Sequence, residues 1–316
     1  MAKTKEISRR IKSVANTKKI TRAMEMVAAA KMRKALEAVL KTRTYANLSW
    51  ETVLRLAKLS QAQSEPLHRL LTKRKKINRV AIIVITSNRG LCGGFNSALI
   101  AKIKESIVRH PVKTDFILVG RKGTPLYGLP NTEVAAEFSK EDILTSISEI
   151  APIGKMAASD YLSRKYDKVL VAYTDFISAS SQIARVKQIL PVDLNVDEYL
   201  GVASSNPKIG VTKEMITEKS NEHLAVEQGK YEFVFEPSPR AVLDKIIPRL
   251  LEIQLYQAFL ESNASEHSAR MSAMHQATEA ASDMVAELTL FYNKARQAGI
   301  TAEIAEISAG ANALAE

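Results

Sequence analysis

The sequence predicts an α/β chain: a long antiparallel coiled coil of N- and C-terminal helices plus a central Rossmann-like α/β domain. Three observations carry this. Both ends are breaker-poor and striped with apolar residues at steps of three and four. The middle alternates solid apolar runs with helix-like stretches. The N-terminal end is strongly basic while the C-terminal end is mildly acidic.

Residues 1–65 read as the first helix. No Gly or Pro occurs from Lys3 to Ser60, and Ala, Lys, Arg, Met, Leu and Glu dominate. Ile7, Ile11 and Val14 step by four and three. Ile20, Met24 and Val27 do the same after a phase shift, and Met32, Ala35 and Val39 continue. That pattern predicts a loosely wound coil with one partner helix rather than a clean heptad. Pro66 ends the segment.

Residues 66–236 read as the α/β domain. Val80–Thr86, Asp115–Gly120 and Lys168–Tyr173 are continuous apolar runs of the buried parallel-strand kind. Helix-like stretches separate them, Asn96–Arg109 and Lys140–Arg164. Residues 195–230 differ: they are polar, contain Gly201, Pro207, Gly210 and Gly229, and predict an inserted, mobile loop. Tyr231–Glu236 alternates and predicts an edge strand.

Residues 237–316 read as the second long helix. Pro237 and Pro239 mark its start, and from Arg240 to about Ala298 Pro248 is the only strong breaker. Its stripe is Met271, Met274, Thr278, Ala281, Val285, Leu288, Tyr292 and Ala295. Sixty helical residues extend about 90 Å. Ala264, Ser265, Ser268, Ala269, Ser272 and Ala273 leave room for a close neighbour. The middle domain reverses the chain, so the two ends are expected to cover each other's stripe.

Composition narrows the function. The chain has 316 residues, 45 Lys+Arg and 34 Asp+Glu, with a formal charge of +11. Residues 1–43 hold thirteen of those bases against three acids. Such asymmetry suits nucleic acid, an anionic membrane or an acidic protein surface, and also suits a plainly solvated helix face. One cysteine, Cys92, allows no internal disulfide. No apolar run is long enough to span a bilayer, and MAKTKEISRRIKSV has no apolar signal core.

Catalytic chemistry is hard to find. Arg89-Gly90-Leu91-Cys92-Gly93-Gly94 follows the first strand and precedes a helix, where doubly wound folds bind phosphate. It lacks the lysine and hydroxyl of a nucleotide loop, so a tight turn outweighs a ligand site. Cys92 has no evident base beside it and reads as a buried structural thiol. His68, His110, His223, His267 and His275 show no metal-ligand spacing. DNA or RNA binding is the rival reading, but Tyr45 and Trp50 are the only aromatics in the first sixty residues, too few to stack on a single strand.

Four segments then resemble one family. Lys18-Lys19-Ile20-Thr21-Arg22-Ala23-Met24-Glu25-Met26-Val27-Ala28-Ala29-Ala30-Lys31-Met32-Arg33 resembles the N-terminal signature of the gamma subunit of F-type ATP synthase. Arg89–Asn96 resembles that family's first strand-to-helix turn. Ala264–Met271 and Tyr292–Thr301 resemble its C-terminal signature. The resemblance implies the central shaft of a rotary motor. Such a shaft couples proton-driven rotation of a membrane c-ring to the catalytic beta subunits and influences ATPase regulation. Its partners would be the alpha and beta subunits of the F1 hexamer, the epsilon subunit and the c-ring, with no nucleic acid. It would carry no catalytic residue and no cofactor, and would sit peripherally on the cytoplasmic face of the bacterial inner membrane through the Fo sector. Met24 matches the position that meets an acidic loop of the stator. Arg270, Gln297, Thr301 and Glu306 match positions that hydrogen-bond stator loops. Plastid and cyanobacterial members also carry an insertion in the region of residues 195–230, and the plastid one holds a regulatory cysteine pair. Here the region has no cysteine, which excludes thiol control of that type. It is expected instead to damp wasteful ATP hydrolysis.

Overall fold

The computed structural model describes residues 2–60, 68–72, 74, 76–142, 146–192, 236 and 239–315. They fall into two compact units, one made of Met1–Ala29 with Arg270–Glu316 and one of Ala30–Ala269. Helices α1 (Ala2–Ser60) and α4 (Pro239–Ala315) contribute residues to both.

Unit Ala30–Ala269 is built on a five-stranded sheet. The chain runs β1 (Arg79–Ile85), α2 (Phe95–Arg109), β2 (Lys113–Val119), β3 (Thr132–Phe138), α3 (Ala151–Leu162), β4 (Lys168–Phe176) and β5 (Gln182–Leu190). The spatial order is β3-β2-β1-β4-β5. β1 pairs in parallel with β2 and β4, β2 in parallel with β3, and β5 closes the edge antiparallel to β4. A central strand covered on both faces must be apolar at every position, and β1 is buried from Val80 to Ile85. Val80, Ile82 and Val84 meet Leu99, Ile100 and Ile103 of α2. Ala81, Ile83 and Ile85 face the larger core with Ile153, Ala157 and Tyr161 of α3 and Leu243, Ile247 and Leu251 of α4. Val39 of α1 belongs to that core as well.

The three apolar runs are β1, β2 and β4. Two strands were not expected. β3 has the sequence TEVAAEF and is only half-buried at alternate positions, so it never reads as a solid run. β5 carries Arg185, Lys187 and two glutamines on an edge. The helix expected from Lys140 begins only at Ala151. Ser146 caps a short 3₁₀ turn over Ile147–Glu149, with Glu149 reaching back to the Ser146 amide, and Pro152 opens the helix proper. α4 runs through Gly299 as far as Ala315. Gly299 lowers helix propensity by about 1 kcal/mol relative to Ala, too little to end so long a helix. Pro66, the expected loop 195–230 and nearly all of the expected strand Tyr231–Glu236 lie outside the described residues.

Candidate functional site

The paired terminal helices of the unit formed by Met1–Ala29 and Arg270–Glu316 are the candidate site. Thr278 donates its hydroxyl to Thr21 Oγ1 at 2.8 Å. The His275 ring lies between Glu25, 3.2 Å away, and Glu279, 3.4 Å away. Residue numbers rise on one helix as they fall on the other, so the pair is antiparallel. On α4 the expected stripe forms the seam: Met274, Thr278 and Ala281 are buried, and Met271, Val285, Leu288, Tyr292 and Ala295 are half-buried.

On α1 the seam differs from the expected stripe. Ile7, Ile11, Val14, Thr21, Met24, Glu25 and Ala28 turn inward. Ile20 and Val27 point out, 61% and 55% exposed. Positions 7, 14, 21 and 28 are seven apart, and 11 and 25 are two heptads apart with the exposed Lys18 between them, so one heptad register holds from Ile7 to Ala28 with a gap at Lys18. The phase shift arose from following the larger apolar side chains. The seam instead takes Thr21 and Ala28, whose small size admits the neighbouring backbone.

The five predicted contact residues separate into two groups. Met24 and Arg270 are both half-buried. Gln297, Thr301 and Glu306 are exposed, within a stretch of α4 that is exposed throughout from Arg296 to Ala309. From Arg270 to Gln297 the helix advances about 40 Å. The fold therefore does not bring the five together.

Sequence reasoning passed over a further feature. Met26, Leu290, Phe291, Ile300, Ile304 and Ile307 are large apolar residues left exposed. The steps of four and three among Ile300, Ile304 and Ile307 are readable in the sequence. Lys5, Arg9, Arg10, Lys12, Lys18 and Lys19 are exposed too, so the basic charge of α1 faces solvent.

The phosphate-loop-like turn is closed by its own side chains. Asn96 accepts from the Ser87 amide at 3.1 Å and donates to Ser87 Oγ at 2.8 Å and to Cys92 Sγ at 3.3 Å. Cys92 is buried, and Leu91 and Gly93 take positive φ. This is a stitched strand-to-helix turn. His267 contacts the Asp142 carbonyl and His275 faces two carboxylates, and among the described residues no group of three metal-ligating side chains converges.

Comparison with known proteins decides the family. The ATP synthase family model matches residues 3–314. The ATP synthase gamma chain of Dehalococcoides mccartyi is 39% identical over the whole of both chains. The chain belongs to the ATP synthase gamma chain family. Other gamma chains of that family are similar over their full length, with 38% identity for Anaeromyxobacter dehalogenans and 36% for Legionella pneumophila, each across 99% of this chain. Among solved structures, a chain of the Euglena gracilis mitochondrial ATP synthase aligns with a TM-score of 0.61 at 17% identity, covering 99% of this chain and 95% of its own. A chain from the central stalk and c-ring of the Tetrahymena thermophila mitochondrial enzyme aligns with a TM-score of 0.57 at 22% identity, covering 82% and 99%. The fold is thus shared with chains of these two assemblies that are far apart in sequence. Among the described residues no helix is long and apolar enough to cross a membrane.

Proposed function

We propose that this chain is the central rotor shaft of an F-type ATP synthase. Its antiparallel terminal helices turn inside the F1 hexamer of alpha and beta subunits, and its α/β domain, with the epsilon subunit, rides on the membrane c-ring. Proton-driven rotation of that ring is carried to the beta subunits, where catalysis occurs, so the chain itself is noncatalytic. The observation that carries this reading is the long helix pair of a gamma-chain family member, held together by its own seam.

The surface of that pair suits rotation. A shaft must press on its surroundings without locking at one angle, so its contacts are best few, polar and breakable. Exposed bases on α1 offer long-range attraction to acidic stator loops without fixed geometry. Met24 and Arg270 form one contact level in this proposal, and Gln297, Thr301 and Glu306 form another nearer the shaft tip. Residues 1–65 and 237–316 are the shaft, and residues 66–236 the domain that receives torque. The complex places the chain peripherally on the cytoplasmic face of the bacterial inner membrane. The insertion 195–230 restrains wasteful ATP hydrolysis, and deleting 197–228 raises hydrolysis in the assembled enzyme if this is right.

Co-purification tests the proposal. A tagged copy of this chain brings down a hexameric ATPase and a membrane ring from detergent extracts. Recovery of the chain without them, or with nucleic acid released by salt, contradicts it.

A further inference from the structure

Helix α4 carries four consecutive polar residues, Ser265, Glu266, His267 and Ser268, at positions that are all buried. Each has a partner from the sheet unit. Ser265 donates to the Thr174 carbonyl at 3.0 Å. Glu266 Oε2 accepts from Lys140 Nζ at 2.6 Å, with the two side chains 6% and 2% exposed. His267 Nε2 meets the Asp142 carbonyl at 3.1 Å, which requires a proton on Nε2. Ser268 donates to the Ala179 carbonyl at 2.7 Å and accepts from Gln182.

Successive helical residues point about 100° apart, so these five bonds surround the helix within about one turn. The partners come from the loop after β3, the end of β4 and the β4–β5 turn, all at the C-terminal edge of the parallel strands. Asn88, just after β1, donates to the Lys140 carbonyl and braces the same loop. Lys31 of α1 pairs with Asp142 at 2.8 Å and ties it to the other long helix. Doubly wound folds ordinarily bind ligands at this edge. Here the chain's own helix fills it.

Apolar packing is non-directional, and a helix held by it alone has neighbouring settings of similar energy. A buried charge pair is satisfied in only one setting, because any other leaves two charges uncompensated in the interior. We propose that residues 265–268 form a keyed collar that fixes the rotation and axial position of α4 against the sheet, with Lys140–Glu266 as its charged key. Torque then passes between helix and α/β domain without slip. This rests on the rotor reading.

The test uses the assembled enzyme and compares ATP hydrolysis with ATP-driven proton pumping. Lys140→Met and Glu266→Leu each strand a buried charge and lose pumping. Because either may also fail to assemble, the deciding variant is the double K140M/E266L, which buries no charge. It is expected to assemble and hydrolyse ATP while its pumping per ATP is lost, and K140E/E266K is expected to restore pumping. A disulfide between A179C and S268C is expected to leave pumping unchanged, since nothing moves across a collar. Normal pumping per ATP in K140M/E266L, or loss of pumping when the disulfide closes, overturns the proposal. The unsubstituted complex is the control for the rotor reading itself: if it contains this chain and does not pump, that reading fails and not the collar.

Discussion

Thr278 and Thr21 share a hydrogen bond across the seam of the terminal helices, 2.8 Å from oxygen to oxygen. The Thr278 hydroxyl also lies 2.7 Å from the Met274 carbonyl of its own helix. A polar contact within an apolar seam fixes register better than it adds stability.

Cysteines at these two positions are therefore expected to form a disulfide under mild oxidation, whereas I20C with T278C is not, because Ile20 faces away. Thr21→Val is expected to cost about 1 kcal/mol, read from the urea midpoint, since Thr278 then gives its single proton to the Met274 carbonyl. Oxidation of the 20/278 pair in preference to 21/278 would mean another register.

Two glycines are expected to respond oppositely to alanine. Gly120 has φ +93°, and an added Cβ would lie 2.5 Å from the Thr86 carbonyl oxygen. Gly120→Ala is expected to cost roughly 3 kcal/mol or more, as backbone strain and a clash combine. Gly299 lies on an exposed helix with nothing within 4 Å of a new Cβ. Gly299→Ala is expected to stabilise its helix by about 0.5–1 kcal/mol. Thermal unfolding of both variants checks the contrast, and equal shifts would contradict it.

Acid stability is expected to depend on Arg74. Burial pushes the Asp167 carboxyl up, but the Arg74 guanidinium at 2.7 Å and the amides of Asn78 and Arg79 outweigh it and hold Asp167 below the ordinary carboxylate range. The folded pKa is depressed, so the stabilisation is complete above the unfolded value near ~3.9 and is lost as pH falls through the folded value. Arg74→Met raises the folded value, and the loss on acidification then begins at higher pH. Urea midpoints between about pH 2 and 6 measure this, and an unshifted acid limb would contradict it.

How much was legible follows from where the signals lie. β1, β2 and β4 are buried on both faces, so their runs admit one reading. β3 shows only alternate half-burial, and β5 mixes bases with apolar residues on an edge. The α4 seam was legible because its steps of three and four, marked by Met271, Met274, Val285, Leu288 and Tyr292, hold without a break, although Leu290 and Phe291 lie outside. The α1 seam was misread because Ile20 and Val27 lie outside while Thr21 and Ala28 lie inside. Spacing locates a seam where its period is kept, and side-chain size alone misleads where small residues such as Thr21 and Ala28 are the ones that turn inward. Ser265 and Ser268 were noted for small size, and the tertiary bonds of residues 265–268 depend on loops that local sequence does not place.

Met24→Lys is expected to impair coupling more than assembly. A lysine at this half-buried position adds a cation at the proposed meeting point with an acidic stator loop, and a strong charge pair there holds the shaft at one angle. The variant complex is expected to hydrolyse ATP with reduced proton pumping per ATP. Normal pumping per ATP would count against Met24 as a contact.

The most direct measurement attaches a visible probe to this chain in a surface-fixed hexamer and watches it during ATP hydrolysis. The account predicts sustained rotation in one direction that stops when a cysteine cross-link joins the chain to a beta subunit. Hydrolysis that continues unchanged while the probe stays still would contradict it.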